Sequence, residues 1–354
     1  RLYKIASDGG NLDGTVNLAL CYQNGVGVEQ NEEEALRLYK IASDGGNLDG
    51  TVNLGFCYQN GLGVEPNEEE SFRLFQIASD GGHLHGTNHL AYCYLHGIGV
   101  EKNIQEALRL YQIASDGGDV RAMAQLGYLY ETGLVLEKNI EEAIRLYKSA
   151  SDRGGFRATV NLARCYQKGI GVDKNAKEAF RLYQNASERG YTLAIYCLGE
   201  CYQKGIGVEK NDKEAFRLYQ IASDRGYPSA IYCLGECYQK GIGVEKNEKE
   251  AFRLYQIASE DDNPRAIDSL GFCYQNGIGV EKNGDEAFRL YQIASDKGNL
   301  RSTKNLGFCY EKGIGVAKNG KEAFRLYQIA LDVGYIAAAK NLAFCYENGI
   351  GTRK

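Results

Sequence analysis

The sequence has no run of about 18 apolar residues, so no stretch of it reads as a membrane span. It has no basic excess: Lys and Arg number 41 against 46 Asp and Glu, and the net charge of -5 argues against a general nucleic-acid binder, which should be basic, while leaving room for a local basic patch. No Ser-His-Asp, Cys-His or paired-carboxylate arrangement stands apart from the rest, which argues against an enzyme, and no motif calls for a cofactor. None of the eleven cysteines belongs to a Cys-x-x-Cys pair. The 44 glycines would suggest disorder elsewhere, but here most recur at regular places and act as punctuation. The chain begins at Arg1 without a methionine, which leaves its localisation open.

What the sequence does have is a period. Tyr22, Tyr58, Tyr94, Tyr130, Tyr166, Tyr202, Tyr238, Tyr274, Tyr310 and Tyr346 follow one another at 36-residue intervals without an insertion or deletion. A period in this range signals stacked supersecondary units, which also lets 354 residues exceed the size of a single closed core. Each copy supplies a helix A whose Ala230, Leu234, Cys237 and Tyr238 share a face in the seventh copy. Leucine holds its place from Leu18 to Leu342, and Gly or Ala always follows it, so a second helix can approach closely there. Gly241-Ile242-Gly243-Val244 then ends helix A. Helix B opens with Asn-x-x-Glu, as at Asn31 and Glu34, in the pattern of a capping box. Ala35, Leu38, Tyr39 and Ala42 form its apolar face, and Gly46 closes it. The expected architecture is all-α: a solenoid of about ten 36-residue helical hairpins forming one array over residues 1–354, which starts in a helix B and stops in a loop. Two copies depart. The fourth has Leu129 for the cysteine and Val135 for the second glycine, and Asp261-Asp262-Asn263-Pro264 replaces the glycine turn after the seventh helix B, so bends or looser stacking are expected at both.

The pattern A-x-x-x-L-G-x-x-Y-x-x-G-x-G-V followed by A-x-x-x-Y-x-x-A resembles the Sel-one-like repeat, a relative of the tetratricopeptide repeat, over essentially the whole chain. Leucine, as in Leu254, stands where that family often has tryptophan, and asparagine, as in Asn247, where it often has aspartate. The resemblance implies a right-handed superhelix with helices A on the concave face, and adaptor roles in secretion, quality control, signalling or host interaction. Some bacterial members carry a disulfide in each repeat, but the second cysteine this needs is serine here, as in Ser43 and Ser79.

Four features suggest chemistry, each beside a plainer reading. Gly-x-Gly could cradle a phosphate, but Gly277-Ile278-Gly279 lacks the third glycine and follows a helix, so it reads as a turn. Nine cysteines recur once per helix A as buried thiols, while Cys197 and Cys233 each precede a regular cysteine by four residues and leave a four-thiol metal cluster open. All four histidines lie in the third copy, and His85, His89, Cys93 and His96 fall on one helical stripe, a metal candidate set against simple drift at exposed positions. Arginine recurs in helix B from Arg1 and Arg37 to Arg325, either as an anion ladder or as a surface partner of the glutamate three residues before it.

Three functions follow from these observations. The first is a protein- or peptide-binding scaffold. One helix A position reads Leu20, Phe56, Tyr92, Tyr128, Arg164, Glu200, Glu236, Phe272, Phe308 and Phe344, with Asn17, Asn53, Asn161, Asn305 and Asn341 three residues earlier on the stripe. The alternative at this position is that its rings pack between neighbouring helices. The second function is a transition-metal site on His85 and His89, helped by Cys93 or His96. The third is structural, in which the array continues end to end through copies of itself or through further repeats.

Overall fold

The computed structural model describes residues 2–351. Arg1 and the last three residues lie outside them, and with them the first member of the arginine series and the end of the final loop. The chain divides into two compact units, Arg1–Asn175 and Ala176–Lys354. The first holds α1 (Leu2–Asp8), α2 (Leu12–Asn24), α3 (Glu32–Asp44), α4 (Leu48–Asn60), α5 (Glu68–Asp80), α6 (Leu84–His96), α7 (Ile104–Asp116), α8 (Val120–Thr132), α9 (Ile140–Asp152) and α10 (Phe156–Lys168). The second holds α11 (Ala176–Glu188), α12 (Thr192–Lys204), α13 (Asp212–Asp224), α14 (Pro228–Lys240), α15 (Glu248–Glu260), α16 (Pro264–Asn276), α17 (Gly284–Asp296), α18 (Leu300–Lys312), α19 (Gly320–Asp332) and α20 (Ala339–Asn348), the last preceded by a 3-10 turn at Ile336–Ala338. Even-numbered helices are the A helices and odd-numbered ones the B helices. Among the described residues there is no strand, and no helix is long and apolar enough to cross a membrane.

Within a hairpin, A and B meet where the small residue of helix A faces the tyrosine of helix B. Tyr255 is wholly buried against Gly235, where an added methyl would stand only 2.8 Å from its ring. The ring's one polar atom is satisfied as well, since the Tyr255 hydroxyl donates to Oε1 of Gln239 at 2.8 Å. Tyr39 with Gln23, Tyr219 with Gln203 and Tyr291 with Gln275 repeat the bond. Between hairpins, the recurring tyrosine of helix A packs edge to face on a phenylalanine of the preceding helix B. Phe216 and Tyr238 have ring centroids 5.4 Å apart at 89°, and Phe72–Tyr94, Phe252–Tyr274 and Phe288–Tyr310 copy this geometry. Such a pair contributes about 0.5–1.5 kcal/mol beyond the area it buries.

The loops follow the glycine pattern. Gly241 takes φ 71° and its N–H caps the carbonyl of Cys237, ending α14. Gly243, at φ 70°, lies so close to the start of the preceding helix B that a side chain would run into the carbonyl of Asp212. Helix B is capped as expected by Asn247, whose Oδ1 accepts from the N–H of Glu250 at 3.1 Å. The reciprocal half of a capping box is not made. The N–H of Asn247 already donates to the carbonyl of Tyr238 at 2.9 Å, and the Glu250 carboxylate turns instead to Arg253.

Both departures are absorbed locally. After α15, Asp262 adopts the left-handed conformation at φ 58°, the only non-glycine among the described residues with positive φ, and Asn263 caps α16. Val135 therefore takes a different conformation from the glycines at its place in other copies, yet α8, α9 and α10 remain packed together.

The tyrosine contact yields a graded expectation. Other copies carry alanine at the Gly235 position, as in Ala19, Ala91 and Ala163, so Gly235→Ala should be close to neutral. Gly235→Leu should cost about 1–3 kcal/mol by overpacking, read as faster hydrogen exchange in residues 228–260 and a lower urea midpoint. Asp262→Gly relieves left-handed backbone strain and should raise the midpoint by an amount equivalent to roughly 0.5–1 kcal/mol.

Candidate partner-binding face

Side chains of the A helices that point away from the B layer form the candidate face. In the first unit, Tyr92 is 39% and Tyr128 41% exposed, and the Tyr92 ring stacks on His96 at 4.3 Å. Phe56 is enclosed, 4.4 Å from His89 and 5.3 Å from Phe75. Arg164 donates through Nη2 to Oε2 of the buried Glu131 at 2.5 Å, and the hydroxyl of Tyr147 donates to the same oxygen at 2.9 Å. Asn53 and Asn161 are half-buried on the same stripe. In the second unit, Glu200 and Glu236 pair along their own helices with Lys204 and Lys240, each at 2.5 Å. Phe272 and Phe344 are 43% and 41% exposed, and Phe308, half-buried, comes between them in the series. The Lys312 ammonium stands 5.8 Å from the Phe308 ring and 5.4 Å from the Phe344 ring, a cation shared by two π faces.

The histidines do not converge on a metal. His83 takes the N-cap place that Asn47 holds one copy earlier: its Nδ1 accepts from the N–H of Gly86 at 3.1 Å, and its Nε2 therefore donates to Oδ1 of Asp49 at 3.0 Å. His85 and His89 meet edge to face at 4.4 Å beside Phe56, with Nδ1 of the one and Nε2 of the other buried and unpartnered. Burial, with Arg121 nearby, pushes His85 down to about 4; burial, His85 and Arg121 push His89 down to about 3. Cys93 is fully buried, which pushes its thiol up to about 12. A shared stripe is not proximity: eleven residues at 1.5 Å of rise separate His85 from His96 by about 16 Å along the axis. The four-thiol idea fails likewise. Cys197 and Cys233 have thiols pushed up to about 12 by burial, and among the described residues no three metal-ligating side chains stand together. The cysteines are free.

The helix B arginines are occupied. Arg37 donates through Nε and Nη2 to both oxygens of Glu34 at 2.7 Å, and Arg73 through Arg325 repeat the bidentate pair with the glutamate three residues before. Each arginine hydrogen bond holds its glutamate below the ordinary carboxylate range. Among the described residues no open anion ladder is left.

One feature escaped the sequence reading. Asp268, 1% exposed, sits where earlier copies bury Val16, Val52 and Val160, and it is held by an ion pair from Arg301 Nε, by Ser302 Oγ at 2.5 Å and by Asn305 Nδ2 at 3.0 Å. The signal in the sequence was weak, because this column is already mixed, with Asn88, Ala124, Tyr196 and Tyr232 beside the valines, and only a buried aspartate needs charged partners.

Equal helical hairpins, packed by the same residues within each unit, define an α-solenoid repeat protein. The Sel1 repeat profile matches residues 13–47, 49–83, 85–119, 120–155, 157–191, 192–227, 228–263, 264–299, 302–335 and 336–354, and the chain belongs to the Sel1 repeat family. It is similar to c5321, a protective antigen of uropathogenic Escherichia coli strains with an SLR fold, at 30% identity and a TM-score of 0.64 over 99% of this chain and 75% of that one. It also resembles a Sel1 repeat protein from Oxalobacter formigenes, at 25% identity and a TM-score of 0.56 over 86% and 88% of the two chains. The tetratricopeptide repeat sensor protein PH0952 of Pyrococcus horikoshii shares the fold at 14% identity and a TM-score of 0.51, covering 96% of this chain and 54% of that one. No curated protein sequence matches the chain.

The buried histidine pair has a pH consequence. Both are neutral in the fold, whereas an unfolded histidine binds a proton near its ordinary value of 6.5. The unfolded state therefore binds more protons between the folded and unfolded values, and stability, complete above pH 6.5, falls as pH drops toward 4 and 3. The urea midpoint should fall between pH 7.5 and 5, and less so in a His85→Asp/His89→Asn variant carrying the residues of the preceding copy.

Proposed function

We propose that the chain is a non-enzymatic scaffold that holds a protein or peptide partner along its helix A face. The observation that carries this is the series Phe272, Phe308 and Phe344. The B-helix tyrosines from Tyr39 to Tyr327 are buried, whereas Phe272 and Phe344, with the half-buried Phe308 between them in the series, keep ring surface open on successive A helices, with Lys312 near two of the rings. Aromatic residues, phenylalanine among them, are enriched at protein interfaces, and an exposed row of them marks a binding surface. The fold supports the same reading, because solenoids of this kind commonly serve protein interaction. The unbroken 36-residue period across Asn175 and Ala176 supports treating both units as one array.

Changing Phe272, Phe308 and Phe344 together to alanine should reduce partner recovery in a pull-down at least tenfold while leaving far-UV circular dichroism unchanged, since two of the rings are more than 40% exposed. Unchanged recovery would remove these residues from the binding face.

A further inference from the structure

A second feature of the helix A face lies beside the middle of α14, at the first turns of α16 and α18. A cleft of about 500 Å³ is lined there by Tyr232, Arg265, Lys297, Arg301 and Tyr335, with Glu236 as its carboxylate. A smaller one of about 210 Å³ adjoins it, sharing Tyr232, Pro264 and Arg265 and reaching Tyr196. Three cations thus face one carboxylate, and that carboxylate is already paired with Lys240. Lys297 has Asp262 at 3.1 Å, whereas the exposed Arg265 side chain makes no ion pair among the described residues.

Arg301 is the built part of the site. Its Nε is held by the buried Asp268, its Nη2 donates to Ser269 Oγ at 3.1 Å, and the Tyr232 hydroxyl lies within hydrogen-bonding reach. A guanidinium carries five N–H donors, so after these contacts it still has donors to offer. The stability argument for this arrangement is weak. Three earlier copies place valine where Asp268 stands and two place tyrosine, all in the same hairpin, and a buried ion pair seldom contributes more than the apolar residue it replaces. What the aspartate does provide is an arginine locked in one orientation at the wall of a cleft that also holds tyrosines, and a preorganised donor binds with less loss of side-chain entropy.

Resting on the scaffold reading, we propose that this cleft receives the carboxylate of an acidic residue in an extended peptide, held between Arg265 and Arg301 with Tyr232 and Tyr335 in its walls. A single carboxylate suits the site better than a polyanion, because Glu236 in the cleft and the net charge of -5 oppose dense negative charge.

The test is selection of a random 12-residue peptide library on the intact chain, followed by fluorescence anisotropy with the selected peptides. The expected result is enrichment of Asp or Glu, a loss of at least tenfold in affinity when that residue becomes Asn or Gln, and the same loss on Arg265→Ala. That variant removes an exposed side chain without a bond and so leaves the fold intact. Enrichment of peptides without an acidic residue overturns the proposal. Peptides that bind Arg265→Ala as tightly as the parent but fail only on the Phe272/Phe308/Phe344 triple-alanine variant overturn the cleft while keeping the scaffold. No enrichment at all overturns both.

Discussion

The contact between the helix B tyrosine and the small residue of helix A is the constraint on which the rest of the array depends. It brings two helices close enough for a ring to lie on backbone, and it supplies a polar end for the buried hydroxyl in the glutamine one turn further along helix A. Where the partner changes, the energetics change with it. Phe75 needs no partner. Tyr111 faces Leu95 at the glutamine place, and its hydroxyl is buried with no bond. Tyr147 and Tyr327 use Glu131 and Glu311, which demand a further cation, found in Arg164 and Lys312. A single substitution at one register position thus recruits a residue from the following copy or from its own helix.

Much of this was legible in the sequence because it obeys a period. Hairpin length, the Gly-x-Gly turn, the asparagine cap and the buried cysteine all recur, so one copy explains the others. The glutamate after the cap was misread as the second half of a capping box, since sequence does not show that the Tyr238 carbonyl already occupies the cap N–H. The histidines were misread for a different reason. Helical spacing gives angle around the axis but not which neighbours a ring turns toward, and His83, His85 and His96 turn to an N-terminus, a phenylalanine cluster and a tyrosine respectively. Asp268 was not legible in the same way, because it breaks the repeat instead of following it.

The copies serve as internal controls for one another. A residue shared by most of them is accounted for by the hairpin and its stacking, so what the stacking leaves unexplained lies in the columns that vary while the fold does not. Those columns are on helix A. The B helices, with their glutamate–arginine pairs, are nearly uniform along both units, whereas the A face passes through tyrosines, ion pairs and phenylalanines as the copies proceed.

The second glycine of each turn carries a consequence for how such a chain can lengthen or shorten. Gly243 rests on the carbonyl of Asp212, a residue of the copy before its own, and Gly279 and Gly315 rest in the same way on Glu248 and Gly284. At these junctions the fit is between two points one copy apart, and adding or losing one complete copy reproduces it unchanged. A single inserted residue between those points would move the glycine off its seat and place a side chain against backbone. Growth in whole 36-residue steps is then the route that leaves every seam intact, and it accounts for a chain of ten copies with no residue out of register.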